Sequence, residues 1–107
     1  MNKKFENLIK ELIENEYYSA CAIYPEFRSA HEGYAVLKEE LEETEDEMNI
    51  LKENMDELWN QIKGNHTCLY SSTLKDLEDH SLSMIKEAVQ VAAMVHKYHD
   101  LIRKESW

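Results

Sequence analysis

Apolar residues recur along three stretches of the chain at alternating spacings of three and four, which is the pattern of amphipathic helices. The first stretch begins at Phe5 and ends where Pro25 breaks the helix. The second contains Leu37, Leu41, Thr44, Met48, Leu51, Met55, Leu58 and Ile62. The third contains Leu74, Leu77, Ser81, Met84, Ala88, Val91, Val95, Tyr98 and Ile102. The pattern predicts helices over residues 3–23, 29–63 and 73–104.

The residues between these stretches predict where the helices begin and end. Ser29 is suited to cap the second helix, and Glu32 three residues later completes a capping box. Gly64 is expected at the C′ position, before a loop over residues 65–72, and Ser72 or Thr73 is expected to cap the third helix. We therefore predict one all-α domain over residues 1–107, a long antiparallel helical hairpin with a shorter N-terminal helix packed across it.

Two helices about 50 Å long cannot bury both of their flanks within one chain of 107 residues. The sequence therefore predicts a helical bundle completed by oligomerisation, with a homo-dimer as the first expectation and a higher homo-oligomer as the alternative.

Charge is concentrated on the second helix. The chain has a formal net charge of −10, and eleven acids face two lysines between Glu32 and Glu57. Such a field repels phosphate backbones, so direct nucleic-acid binding is not expected. The sequence contains no apolar run long enough for a membrane span or a signal peptide. With only two cysteines, a reducing cytoplasmic location is expected.

Acidic and amide side chains recur at matched positions of the two long helices. With Leu41 and Ala88 as heptad positions a, Glu40 and Glu87 occupy g. Glu43 and Gln90 then occupy c. An antiparallel alignment of Leu41 with Val91 brings all four oxygen-bearing side chains within about one turn of each other. Oxygen ligands of this kind suit Mg²⁺ or Mn²⁺. The same acids also fit an ordinary solvated helix face.

The acidic run and the later Glu87–Gln90 segment resemble a known family. E-E-L-E-E at Glu39–Glu43, followed by E-A-V-Q, is similar to the E-E-x-x-E … E-x-x-D pattern of MazG-like all-α nucleoside triphosphate pyrophosphohydrolases. The stretch H-E-G-Y-A-V-L-K-E-E-L-E-E also resembles small phage and Firmicute proteins described as MazG-like. The resemblance extends over about residues 28–103.

The resemblance implies a Mg²⁺-dependent hydrolysis of a (d)NTP or related nucleotide to the monophosphate and pyrophosphate. It implies Glu40, Glu43, Glu87 and Gln90 as metal ligands, with Glu39 supporting the site or activating water beside Glu40. Lys38, Lys86 and Lys97 are weaker candidates for contacts with phosphate, because ordinary surface charge accounts for each of them better.

Two features depart from the family pattern. Gln90 stands where an aspartate is expected, and the second helix continues about twenty residues beyond the acidic motif. Both features also fit a catalytically degenerate relative, or a non-catalytic acidic interaction protein. Such a protein resembles a phage-type inhibitor or a DNA mimic and binds a basic partner.

Overall fold

The computed structural model describes residues 2–105 and is all-α, as predicted. Its helices are α1 (Lys3–Ile23), α2 (Ala30–Lys63) and α3 (Tyr70–Glu105), and a 3₁₀ turn (Thr67–Leu69) precedes α3. No strand occurs within residues 2–105. Helices α2 and α3 form a long hairpin, and the shorter α1 packs against α3.

Side chains cap the N-termini of α1 and α2. The Asn2 side chain accepts a hydrogen bond from the backbone of Lys4 at 2.8 Å. The Ser29 hydroxyl accepts one from the backbone of Glu32 at 3.2 Å, which confirms Ser29 as the N-cap. The second hydrogen bond of the capping box differs from the expected one. The Glu32 carboxylate accepts from the backbone N–H of Arg28 rather than from that of Ser29.

The connection between α2 and α3 is a Schellman motif. The backbone N–H of His66 donates to Gln61 at 2.9 Å, and that of Asn65 donates to Ile62 at 3.1 Å. Gly64 is the C-cap with a right-handed φ of −86°, and Asn65 takes the left-handed conformation at φ 55°. The prediction of Gly64 at C′ is therefore wrong by one residue, since asparagine also tolerates that conformation.

Helix α3 begins three residues before the predicted boundary at residue 73. The predicted loop over residues 65–72 is mostly helical, and neither Ser72 nor Thr73 is a cap. Thr73 is buried instead, with its hydroxyl at 2.8 and 3.0 Å from the two polar side-chain atoms of Gln61. A partner on α2 satisfies this hydroxyl, so it is not available to cap the start of a helix.

The helices of the hairpin meet through a different seam from the one that apolar spacing predicts. The least exposed row on each helix occupies heptad positions d and g instead of a and d. On α2 this row is Gly33, Leu37, Glu40, Thr44, Glu47, Leu51, Asn54, Leu58 and Gln61. On α3 it is Thr73, Leu77, His80, Met84, Glu87, Val91, Met94, Tyr98 and Leu101. The apolar a positions are consequently left largely exposed.

Polar side chains pair across this seam. Besides Gln61 and Thr73, the Nδ1 atom of His80 lies 3.0 Å from a carboxylate oxygen of Glu47. The Asn54 amide nitrogen is buried without a hydrogen-bond partner among the described residues. The Gln61–Thr73 and Glu47–His80 pairs fix the alignment of the helices, because each of these groups needs its particular partner.

The apolar core lies at one end of the hairpin. It consists of Phe27, Ala93, Met94 and Leu101, with Ile13, Tyr17, Ala20, Val36, Leu37 and Tyr98 packed against it. Gly33 permits the close approach of α2 and α3 here, because an added Cβ would lie 2.5 Å from the Tyr98 ring. The Tyr98 hydroxyl donates to the backbone carbonyl of Ala30 at 3.0 Å.

The fold is elongated, with extents of 63 × 32 × 23 Å. No helix in the described part of the chain combines the length and apolar character that a membrane crossing needs. Because the fold is elongated, much of the hairpin has no third layer of structure over it, and this leaves the a positions exposed.

Candidate metal centre

Three carboxylates from the two long helices converge on one face of the hairpin. One oxygen each from Glu40, Glu43 and Glu87 lies within 4.8 Å of the other two. Glu40 and Glu87 occupy equivalent g positions of the antiparallel pair, and Glu43 is one turn beyond Glu40. The hairpin therefore brings together three of the four side chains that the sequence predicts as ligands.

Gln90 completes the group. With its amide nitrogen turned toward the carboxylates, it donates hydrogen bonds to Glu87 at 2.8 Å and to Glu40 at 3.2 Å. This orientation holds two negative groups together without a cation. In the opposite orientation, the amide oxygen faces the carboxylates and is available as a fourth oxygen ligand.

The crowding of carboxylates changes their protonation. Partial burial and the neighbouring charges of Glu43 and Glu87 raise the pKa of Glu40 above its ordinary value. A side-chain hydrogen bond with Glu87, together with desolvation, raises the pKa of Glu43. Both shifts mean that the folded protein favours adding positive charge here, which either a proton or a divalent cation supplies.

Replacing Glu40 by Gln is expected to stabilise the metal-free protein at neutral pH by about 0.2–1 kcal/mol, the range of screened charge interactions. A raised pKa in the folded state makes ionised Glu40 unfavourable. This penalty is complete above the folded-state pKa and disappears as pH falls to the unfolded-state value. Urea unfolding in EDTA should therefore show a gain for Glu40→Gln at pH 7 that vanishes near pH 4.

Glu45→Gln is the matched control for that experiment, because it removes the same charge from an exposed position of α2 that is not among those raising the pKa of Glu40. An equal gain from both variants, or a gain that does not depend on pH, would contradict the role assigned to Glu40.

A cavity of about 580 Å³ adjoins the carboxylates. Glu40 and Gln90 form part of its wall, and the segment between α1 and α2 contributes Phe27 and Arg28. Apolar groups of Ile23, Tyr24, Val36 and Met94 line it as well. A volume of this size is within the range of small-molecule sites.

The lysines and Glu39 occupy different surroundings. Lys97 is buried, lines the cavity, and places its ammonium 4.6 Å from the centre of the Phe27 ring. Lys38 is exposed and pairs with Glu42 at 3.9 Å, away from the carboxylates. Lys86 is also exposed. Glu39 is exposed and is not part of the converging group. Of the three lysines, only Lys97 lines this cavity.

The sequence interpretation missed Phe27, Arg28 and Glu16 as parts of this site. Glu16 lines the cavity from α1, and its charge also raises the pKa of Glu40. No periodicity marks residues 26–28, because they follow Pro25 in an irregular segment. The nearest signal was the presence of an aromatic and a basic residue in the short connection leading to the acidic helix.

Comparison of the chain with protein-family models gave no match, and neither did comparison with curated proteins or with solved structures. The resemblance to MazG-like proteins therefore stays a prediction that rests on the residues of the two acidic segments.

Proposed function

We propose that the protein is a MazG-like, Mg²⁺- or Mn²⁺-dependent nucleotide pyrophosphohydrolase. The observation that carries the proposal is the convergence of Glu40, Glu43 and Glu87 from two helices within 4.8 Å of one another. Carboxylate oxygens are the ligands that these hard cations prefer, and a cation offsets the burial and the charge repulsion that together raise the pKa of Glu40.

The cavity beside the carboxylates supports a nucleotide as the substrate. Its apolar wall, with the aromatic rings of Tyr24 and Phe27, suits a base and sugar. Lys97 and Arg28 supply positive charge in the same cavity, which suits a phosphate chain. When bound, the cation supplies charge neutralisation and Lewis acidity at the phosphates.

Within this arrangement, Glu40, Glu43 and Glu87 are the proposed ligands, and the Gln90 amide oxygen is the fourth. In the proposed reaction, water adds to a phosphorus atom of the α–β linkage of a (d)NTP and the bridging P–O bond breaks, which yields the monophosphate and pyrophosphate. Glu39 flanks the ligands from an exposed position and is the proposed group for orienting water beside Glu40. We propose the cytoplasm as the compartment. Cys21 and Cys68 are free cysteines, which is typical of proteins in a reducing environment.

The proposal is tested by incubating the protein with a panel of ribo- and deoxyribonucleoside triphosphates and measuring pyrophosphate. Release of pyrophosphate with Mg²⁺ or Mn²⁺, and its loss in EDTA, is the expected result. The same cations should raise the melting temperature. No turnover across the panel, together with no change in melting temperature, would exclude a metal-dependent enzyme.

One observation favours a second candidate, an acidic interaction protein without catalysis. Gln90 offsets part of the repulsion by donating hydrogen bonds to Glu40 and Glu87, so these two carboxylates are held together without a cation. The acidic α2 would then bind a basic partner, as an inhibitor or DNA mimic does. This candidate predicts no response to Mg²⁺ and partner binding that weakens steeply as salt rises.

A further inference from the structure

The cavity beside the carboxylates contains one buried cation, Lys97. This residue is only 5% exposed, and its ammonium lies 4.6 Å from the centre of the Phe27 ring. Among the described residues, the ammonium has no carboxylate within ion-pairing distance and no hydrogen-bond acceptor. Three N–H donors without acceptors are costly in a buried position. Lys97 therefore lacks an oxygen or nitrogen acceptor that a bound molecule can supply.

The nearby acids already have other partners. Lys97 also borders a smaller cavity of about 310 Å³, to which Glu26 and Asp100 contribute. Glu26 pairs with Lys104, and the Asp100 carboxylate accepts a hydrogen bond from the Tyr17 hydroxyl. Neither acid lies within ion-pairing distance of Lys97, so the packing of α1 against α3 leaves this ammonium without a counter-charge.

Lys97 and the carboxylates lie at opposite ends of the larger cavity. Lys97 follows Gln90 by two helical turns on the same face of α3, which is about 10 Å along the axis at 1.5 Å per residue. Both residues line the cavity, with Met94 between them. The Phe27 ring beneath the ammonium packs against Tyr98, at 6.3 Å between ring centres, which is the side away from Gln90.

The inference from this spacing rests on the proposed function, in which the α-phosphate lies at the carboxylates. A nucleotide held there extends through its sugar into the cavity, and the far edge of its base reaches the level of Lys97. An ammonium only donates hydrogen bonds, so it matches an acceptor on the base and does not match an amino group. Guanine presents N7 and O6 side by side as acceptors, whereas adenine presents N7 beside an amino group.

We propose that Lys97 is a specificity-determining residue, which donates to O6 and N7 of a guanine-type base and discriminates against adenine. The Phe27 ring holds the ammonium in place before the nucleotide binds, so binding costs little side-chain freedom. The exposed Arg28 is left for the phosphates. A site built to hydrogen-bond a substrate group rejects an analogue without that group, because its own buried donor is then unmatched.

The first test uses the wild type and a series of deoxynucleoside triphosphates, with kcat/KM measured from pyrophosphate release in Mn²⁺. The guanine and hypoxanthine nucleotides both present O6 and N7 and should react about 5- to 150-fold better than the adenine and 2-aminopurine nucleotides, which lack O6. The 7-deazaguanine nucleotide keeps O6 alone and should lie between the two groups. Equal kcat/KM values across the series would overturn the proposal. This test requires no substitution in the buried site.

The second test is Lys97→Met, which keeps a long apolar side chain but removes the ammonium. The ratio of kcat/KM for dGTP over dATP should fall close to one, because only the guanine nucleotide loses a partner. Lys75→Met is the matched control, since Lys75 is exposed on α3 and pairs with Asp79 at 3.5 Å. It should keep the wild-type ratio. An equal loss for both nucleotides in Lys97→Met would assign the ammonium to the phosphates and overturn its role at the base.

Binding of the α,β-methylene analogues of dGTP and dATP in Mn²⁺ separates this inference from the proposed hydrolysis, because the bond to be cleaved is absent from both. Guanine-selective binding that Lys97→Met abolishes, without turnover of any natural nucleotide, would support the role of Lys97 and exclude the enzyme. Turnover of every nucleotide without discrimination would support the enzyme and overturn the role of Lys97. Failure of the wild type to bind either analogue would overturn the role as well.

Discussion

Glu43→Gln is expected to lower the Mg²⁺-dependent release of pyrophosphate by at least about 100-fold, because a proposed metal ligand loses its charge. The substitution preserves the size of the side chain, so packing at this open part of the hairpin changes little. It also removes one of three carboxylates that share the bound cation. The experiment measures the rate at saturating nucleotide and the cation concentration that gives half of the maximal rate. This cation concentration should rise in the variant.

Glu42→Gln is the matched control for this experiment. Glu42 is adjacent to Glu43 on α2 and carries the same charge, but it pairs with Lys38 at 3.9 Å on the solvent side. Its rate should remain close to that of the wild type. If Glu42→Gln and Glu43→Gln lose the same activity, the effect follows the total charge of α2 rather than a site, and the proposed role of Glu43 would be wrong.

The lengths and most ends of the helices follow from the sequence because their causes are local. Pro25 and Ser29 determine the boundary between α1 and α2, and α1 begins and ends where its apolar spacing predicts. The start of α3 was predicted wrongly because its cause is not local. Thr73 resembles a cap in the sequence, but Gln61 on the other helix binds its hydroxyl.

The choice of seam was the larger error, and its reason is physical. The spacing of apolar residues identifies which rows of side chains avoid water. It does not show which row packs against the other helix of the same hairpin and which row packs against another surface. On both helices the a and d rows are apolar except for Thr44 and Ser81, whereas the g row contains partners such as Glu47 and His80. Matching those polar partners across the hairpin would have indicated the d and g seam, because an unmatched buried polar group is costly.

The carboxylate group was predictable because it depends only on helix periodicity and on the alignment of two antiparallel helices. The spacing of Glu40 and Glu43 and that of Glu87 and Gln90 determine which side chains share a face. The cavity was not predictable in the same way. It depends on where the irregular segment with Phe27 and Arg28 folds against α3, and periodicity contains no information about that segment.

Gln90→Asp is expected to tighten the binding of Mn²⁺ by roughly 10- to 100-fold, since ligand charge tunes the affinity of oxygen sites over several decades. The wild-type amide is neutral, and in the orientation that suits its neighbours it donates to Glu40 and Glu87 instead of ligating. An aspartate loses those two hydrogen bonds and adds a fourth carboxylate. The metal-free variant should therefore melt at a lower temperature, by about 4–8 °C for each kcal/mol lost.

These opposite effects make the experiment decisive, because cation binding should more than restore the stability that the metal-free variant loses. The measurement is the melting temperature of the wild type and Gln90→Asp in EDTA and across a Mn²⁺ titration, with pyrophosphate release followed in parallel. Gln90→Asn is the control, since it keeps the amide but shortens it by one methylene group as aspartate does. If both variants respond equally to Mn²⁺, the added charge has no role and the four side chains do not share a cation. A rise in both affinity and rate for Gln90→Asp alone would instead identify Gln90 as the residue that limits metal binding in this protein.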